Sequence, residues 1–349
     1  MAGDQRPRGI VLSLAPMRYS IFSVADHYPG QQRSVADYYA QLLRQAEAAE
    51  GLGFDAMFVA EHHFHDYGVV PNPAVMLTAL AARTRRLRLG PAIATLTYHD
   101  PVSVAENYAM LDVLAGGRLI LGTGSGYLKH EFAGFGIAPE TKRQRFDETL
   151  MLVRRLLAGE RVTHDGAFHR LRDVAINLRP IQQPTPPIFV AALAREAAYH
   201  IGRQGNRLMA IPYASLAAFA EVGALEQEFR RGRAESGARD DGDDAIYTFH
   251  AHVAATDAAA RQHAAAPFDR YVETRLYARR QSYDDVLANG LGLFGGAATV
   301  AEKVVALGRM GVRHVALLTD FGLMPEEDAL QSMRRFVEDV APRVRAAGF

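Results

Sequence analysis

Between Phe54 and Gly122 the chain repeats one unit: a short apolar run, a polar or glycine-rich turn, then a helical pattern. The apolar runs are Phe54–Ala60, Leu87–Ile93 and Arg118–Gly122. Pro73–Thr84 and Val102–Leu114 are the helical segments between them, the second ended by Gly116-Gly117. Strand, helix and strand at this spacing mean βα units and a parallel sheet. The rhythm extends in both directions. Ile10–Leu14 reads as the first strand, followed by a helix from Ser34 to Gly51 whose apolar residues recur every three or four positions. Pro187–Ala192, Arg207–Ile211, Ala245–Val253 and Val312–Leu318 read as the fifth to eighth strands.

Eight strands, each with a helix after it, predict an α/β fold: a (β/α)8 TIM barrel forming one domain over residues 1–349. Such a barrel needs about 250 residues. The surplus is expected as insertions after the fourth and seventh strands, about 130–186 and 254–296. Within the first, Lys142–Ala158 reads as a helix and Gly159–Pro180 as a small hairpin turning at Asp165-Gly166. Within the second, Thr256–Asn289 reads as one long charged helix, a lid candidate carrying Tyr271, Tyr277 and Tyr283. Leu216–Arg233 reads as the helix after the sixth strand, and Glu326–Ala346 as the closing one.

Composition narrows the function classes. Lys plus Arg is 39 and Asp plus Glu is 39, so the formal net charge is zero, and no nucleic-acid or anionic-membrane partner is expected. There is no cysteine, which excludes disulfides, thiolate catalysis and Cys-type zinc sites. No apolar run approaches the roughly 18 residues needed to cross a bilayer. The apolar run before Pro16 is too short for a signal peptide. A cytoplasmic enzyme is the expectation.

Two clusters fall at strand ends, where a barrel of this kind carries its chemistry. Glu61-His62-His63-Phe64-His65 follows the second strand. Imidazoles beside a carboxylate can transfer protons, bind metal or simply bond neighbouring loops. Adjacent residues on an extended segment point to opposite sides, so His62 and His63 should not share a pocket. No further metal-ligand pattern accompanies them, and no metal is expected. Gly122-Thr-Gly-Ser-Gly126 follows the fourth strand. It matches neither a Walker loop nor the dinucleotide fingerprint. It is either a turn that approaches a flat ring or phosphate closely, or a mere tight turn.

Four stretches carry a further signal: AEHHF at 60–64, the run 86–127, KRQRFDETL at 142–150 and 187–205. With 294–318 and 333–345 they make the chain resemble the bacterial luciferase-like family of flavin-dependent oxidoreductases. Glu-His-His after the second strand, with Asp112-x-Leu-x-x-Gly-Arg118 before the fourth, is the most specific part. The resemblance implies a two-component monooxygenase. It would take reduced FMN from a separate flavin reductase, let O2 add at the flavin 4a-position, and oxidise a small organic substrate through the peroxyflavin. The alternatives are a deazaflavin-dependent oxidoreductase of the same fold and a non-catalytic flavin-binding barrel.

Carried over by position, the resemblance implies a catalytic role for His62 in the cluster Glu61, His62 and His63, and the alternation along the strand end turns Glu61 and His63 away from the pocket. It implies cofactor contacts from Ala92 and Ile93, where relatives often have a non-proline cis peptide. It adds Glu106, Gly124, Ser125, Gly126 and Tyr127, and the turn Ala194, Arg195 and Glu196 after the fifth strand. That turn lacks the serine that usually binds the phosphate, and the position of a phosphate-binding arginine is Ser125 here. Backbone N–H groups at the helix start and Arg195 are the expected substitutes. A homodimer is also implied, with helices 73–84 and 102–114 offering apolar surface.

Overall fold

The computed structural model describes residues 16–31, 33–65, 68–238, 242–275 and 280–349. The expected first strand at 10–14 lies outside them. The first described strand is β1, Arg18–Ser23, followed by α1, Val35–Leu52. Ser34 caps α1 in a reciprocal box with Asp37, and Gly53 ends it in the left-handed conformation. Then come β2, Ala56–Val59; α2, Pro73–Arg83; β3, Arg88–Pro91; β4, Ala94–Thr95; α3, Pro101–Leu114; and β5, Leu121–Gly124.

Between β5 and the next barrel strand lie α4, Lys129–Gly134, α5, Lys142–Leu157, and the hairpin of β6, Val162–Asp165, and β7, Arg170–Val174. The second half runs β8, Ile188–Ala192; α6, Arg195–Arg203; β9, Arg207–Ala210; α7, Pro212–Ser215; α8, Glu221–Ser236; and β10, Ala245–Ala254. After it come α9, Asp257–Thr274; α10, Tyr283–Ala288; β11, Leu293–Gly296; α11, Ala297–Arg309; β12, His314–Leu318; α12, Glu326–Arg335; and α13, Ala341–Ala346. A π-helical turn at Phe336–Val340 joins α12 to α13 just ahead of Pro342, whose ring carries no N–H for a helical bond.

The barrel strands run parallel in the order β3-β2-β1-β12-β10-β9-β8-β5-β4. A parallel bridge between Leu89 and Leu119 brings the two ends of that order together. β3 and β4 are successive pieces of one path, the first paired to β2 and the second to β5. The fold is therefore the expected α/β barrel. Nearly all strand residues are buried, because the barrel interior covers one face and the helices the other.

Several expected boundaries move. The fourth barrel strand starts at Leu121, not Arg118. Arg118 instead donates to the carbonyls of Ala81, Thr84, Leu87 and Ala115, and Asp112 accepts from the Leu119 and Gln182 N–H groups. That motif pins the chain below the barrel and sets where β5 begins. The hairpin turn is a four-residue loop at 166–169 rather than one centred on Asp165-Gly166, because Asp165 still pairs with Arg170. The single helix expected at 256–289 is two helices, and β11, unforeseen, pairs with the far half of β10 at Ala251–Ala254. Tyr271 and Tyr283 are packing residues in a ring cluster with Phe268, and Tyr277 lies outside the described residues. No helix among the described residues is long and apolar enough to cross a membrane.

Candidate active site

The segments that leave β2, β4, β5, β8 and β9 converge at the C-terminal end of the barrel. They wall a cleft of about 300 Å³ that opens to solvent. Glu61 and His62 come from β2, Thr95 from β4, Gly124 to Tyr127 from β5, Leu193 and Ala194 from β8, and Ile211 from β9. Phe22, Ala60, Ala191 and Ala197 make much of the rest apolar, as a small-molecule site requires.

The extended backbone after β2 turns consecutive side chains to opposite sides. His62 lines the cleft, whereas His63 faces away and sits edge-on to Phe135 at 4.8 Å between ring centres. Two buried carboxylates divide the pair. Glu131, on α4, accepts from His62 Nδ1 at 3.2 Å and the His63 backbone N–H at 2.9 Å through Oε1, and from the Tyr98 hydroxyl at 3.2 Å through Oε2. Glu61 accepts from His63 Nε2 at 3.0 Å and His99 Nε2 at 2.7 Å through Oε1, and from the Thr95 backbone N–H at 3.3 Å through Oε2.

These contacts govern the charges. Burial pushes both carboxyls up, but the donors around them outweigh it and hold Glu61 and Glu131 below the usual carboxylate range. Burial draws the His62 imidazole below its ordinary value. Its bond to Glu131 opposes that, and the Arg275 guanidinium, also on the cleft wall, adds to it. His99 moves the other way: burial lowers it, and the bond and charge of Glu61 more than compensate.

The peptide between Ala92 and Ile93 is cis, at the position expected, and both residues line the cleft. Gly122 and Gly124 lie within β5 rather than in a turn after it. A Cβ on Gly124 would stand 2.1 Å from Ile93 Cδ1, so the glycine lets the strand pack against the Ile93 side chain. Gly126 has φ +75°, and a Cβ there would meet the Tyr98 hydroxyl at 2.6 Å. This strip of small residues admits a flat ring closely. The first turn of α6, capped by Ala194 without a side-chain bond, together with Lys142 and Arg143 from α5, supplies N–H groups and positive charge suited to a phosphate. The residues present thus fit a flavin or deazaflavin cofactor.

Other expectations need correction. Glu61 was expected to turn away with His63, but it reaches the cleft, because its Oε2 is drawn to the Thr95 N–H on β4. His63 does turn away from the cleft, as the alternation along the strand predicts. Glu106 is exposed on the outer side of α3 and does not line it either. Arg195 and Glu196 are exposed on the first turn of α6, outside the wall, whereas Ala194 lines it. Sequence reasoning missed Glu131, Tyr98, His99, Lys142, Arg143 and Arg275. Tyr98, His99, Lys142 and Arg143 fall inside stretches that carry the resemblance but were given no role there, and Glu131, five residues past Gly126, and Arg275 fall outside them.

Glu61, His63 and His99 bring one ligand atom each within 4.8 Å of one another, a set that could hold a divalent cation. The two imidazole bonds to Glu61 Oε1 already satisfy all three groups, so the cluster stands without one.

Residues 17–314 match the family model described as luciferase-like monooxygenase. The chain belongs to that family. Among solved relatives of the luciferase-like family, the monooxygenase RslO1 from Streptomyces bottropensis is 31% identical. It superposes with a TM-score of 0.86 over 93% of this chain and 99% of its own. The 4-hydroxyprotoasukamycin monooxygenase of Streptomyces nodosus subsp. asukaensis is 37% identical over 155 residues, 43% of this chain and 42% of that protein. An F420-dependent glucose-6-phosphate dehydrogenase of Beutenbergia cavernae is 40% identical over 173 residues, 47% of this chain and 50% of that protein. The chain spans about half the length of the curated relatives it matches.

Proposed function

We propose that this luciferase-like protein is a flavin-dependent monooxygenase of the two-component type, working in the cytoplasm. It would take reduced FMN from a separate flavin reductase and use O2 to oxidise a small organic substrate. The observation that carries the reading is the pairing, on one cleft, of His62 with the side-chain-poor strip of Ala92, Ile93, Gly124 and Gly126. Bound reduced flavin would supply the electrons and the site of reaction with O2. The strip would take the ring, and Lys142, Arg143 and the start of α6 would take the phosphate. The apolar wall would keep water out. His62 would exchange a proton at Nε2, since Nδ1 is engaged by Glu131. The 31% identity to the monooxygenase RslO1 across 93% of the chain also supports this reading.

A second reading, a deazaflavin-dependent oxidoreductase, draws on the likeness to the F420-dependent dehydrogenases. For that reading the family resemblance implies a tryptophan near the hydride site, and this chain has none. Anaerobic titration with reduced FMN and with reduced deazaflavin, followed by admission of O2, separates the two. The proposal expects tighter FMN binding and rapid O2 uptake. Tight deazaflavin binding with no reaction of bound FMN would overturn it.

A further inference from the structure

His62 and its neighbour are read from the sequence as one cluster, yet their partners come from different places. Glu61, adjacent to His62 in the chain, is committed to His63, His99 and the Thr95 N–H. The acid that meets His62 is 69 residues away on α4. We propose that Glu131 is the positioning residue for His62: its carboxylate holds the imidazole in the Nδ1–H form and so makes Nε2 the atom that exchanges a proton with a bound ligand. The inference rests on the reading of His62 as the proton-exchanging group.

Three observations carry it. Glu131 is buried and below the usual carboxylate range, so it is ionised and can only accept. A group facing it at hydrogen-bond distance must therefore donate, which places the His62 proton on Nδ1. Next, Oε1 also accepts the His63 backbone N–H at 2.9 Å. The carboxylate is thus tied to the same strand end that carries His62, and it cannot rotate away without breaking a buried backbone bond. Finally, Oε2 is held by Tyr98, whose ring stacks on Phe135 at 4.6 Å and 16°. Segments leaving β2, β4 and β5 are therefore joined through one carboxylate.

The consequence for proton transfer is direct. A buried imidazole resists taking a second proton, and an ionised partner on its far side offsets that resistance. When a proton passes from a ligand to Nε2, the imidazolium that forms is neutralised by Glu131. When it passes back, the Nδ1–H form is restored. Glu131 stays ionised throughout and acts on the proton through His62, although its side chain also borders the cleft.

The test uses the full chain labelled with 15N-histidine, free of flavin, with His62 assigned by its loss in His62→Gln. Long-range 1H–15N spectra across pH should show neutral wild-type His62 with the proton on Nδ1. In Glu131→Gln the His62 titration should move to lower pH, while reduced-FMN affinity stays within about twofold. Coupled turnover should fall at least about tenfold, a smaller loss than removal of the acid–base group itself would give. Glu131→Asp, which keeps the charge, should fall between the two. Wild-type His62 in the Nε2–H form, or a His62 titration unchanged in Glu131→Gln, would overturn the inference. The wild-type spectrum decides even if the Glu131 variants do not fold. A correct spectrum in a protein that never couples flavin to oxidation would instead sink the functional reading.

Discussion

At His62 and His63 the extended backbone makes opposite demands on neighbouring residues. His62 meets the cleft, so His62→Ala should leave folding and reduced-FMN binding nearly intact. Product formation should drop about 10²-fold or more, the range for a lost general acid–base group, with O2 diverted into hydrogen peroxide. His63 bonds Glu61 and packs on Phe135. His63→Ala should therefore act mainly on stability, by about 1–3 kcal/mol for a buried partner left unpaired. Thermal unfolding and peroxide assays on both variants check this, and full coupling in His62→Ala with loss in His63→Ala would reverse the roles. The Glu-His-His motif was legible from the sequence as a site, and alternation along the strand was enough to separate its two histidines. Glu131 was not, because nothing in the chain order relates α4 to the end of β2.

At the scale of elements, the site depends on how β5 meets the segment between β3 and β4. Gly124 permits this contact, because any side chain there must displace Ile93 from the cleft wall. Gly124→Val should weaken reduced-FMN binding at least about tenfold, or roughly 1.4 kcal/mol. The obstacle is the far end of one side chain, so thermal stability should fall less than in a core-cavity variant. Flavin titration beside thermal melts decides. Normal affinity with a large loss of stability would show that the strip is only structural. The sequence placed these glycines in a turn, since it could not reveal that Arg118 is spent on carbonyls below the barrel and that the strand starts three residues later.

For the whole molecule, pH sensitivity comes from groups buried far from water. Burial draws His250 down to about 3, with the Arg275 charge adding to it. Burial likewise draws His252 to about 4. Their stabilising effect is complete above the ordinary histidine value of 6.5 and is lost as pH falls towards 4 and 3. Asp320 runs the other way. Burial first and the Asp26 charge second raise it to about 7, so its contribution is complete near pH 3.8 and fades as pH rises to 7. His250 sits among the rings of Tyr213, Phe268, Tyr271 and Phe321, with neither ring nitrogen hydrogen-bonded among the described residues. His250→Phe should hold stability at pH 7. On acidification it should gain on the wild type by up to about 1.4 kcal/mol per pH unit below 6.5, the value of one proton. Urea midpoints at pH 5 and pH 7 measure the difference, and equal shifts in both proteins would remove His250 from the account.

The proposed homodimer belongs to the same scale. Of the apolar residues on α2 and α3, Met76, Leu77, Leu80, Tyr108 and Leu111 are buried within the chain. Val75, Met110, Val113 and Leu114 remain exposed. Light scattering at micromolar concentration should give twice the chain mass, and Leu114→Glu with Met110→Glu should bring it to the monomer; a wild-type monomer would end the idea.

The alternation of apolar runs and helical patterns sufficed for the barrel, since parallel strands covered on both faces must be apolar throughout and need crossovers between them. Local chemistry also sufficed for the helix caps and for placing Glu61 to His63 and Gly124 to Gly126 at strand ends. Only the tertiary structure decided which carboxylate serves which histidine, that Arg275, Lys142 and Arg143 reach the cleft, and that Glu106, Arg195 and Glu196 do not. Periodicity is a property of neighbouring residues and is written along the chain. A hydrogen bond between residues 62 and 131 depends on the shear and closure of the sheet, and no local pattern encodes that.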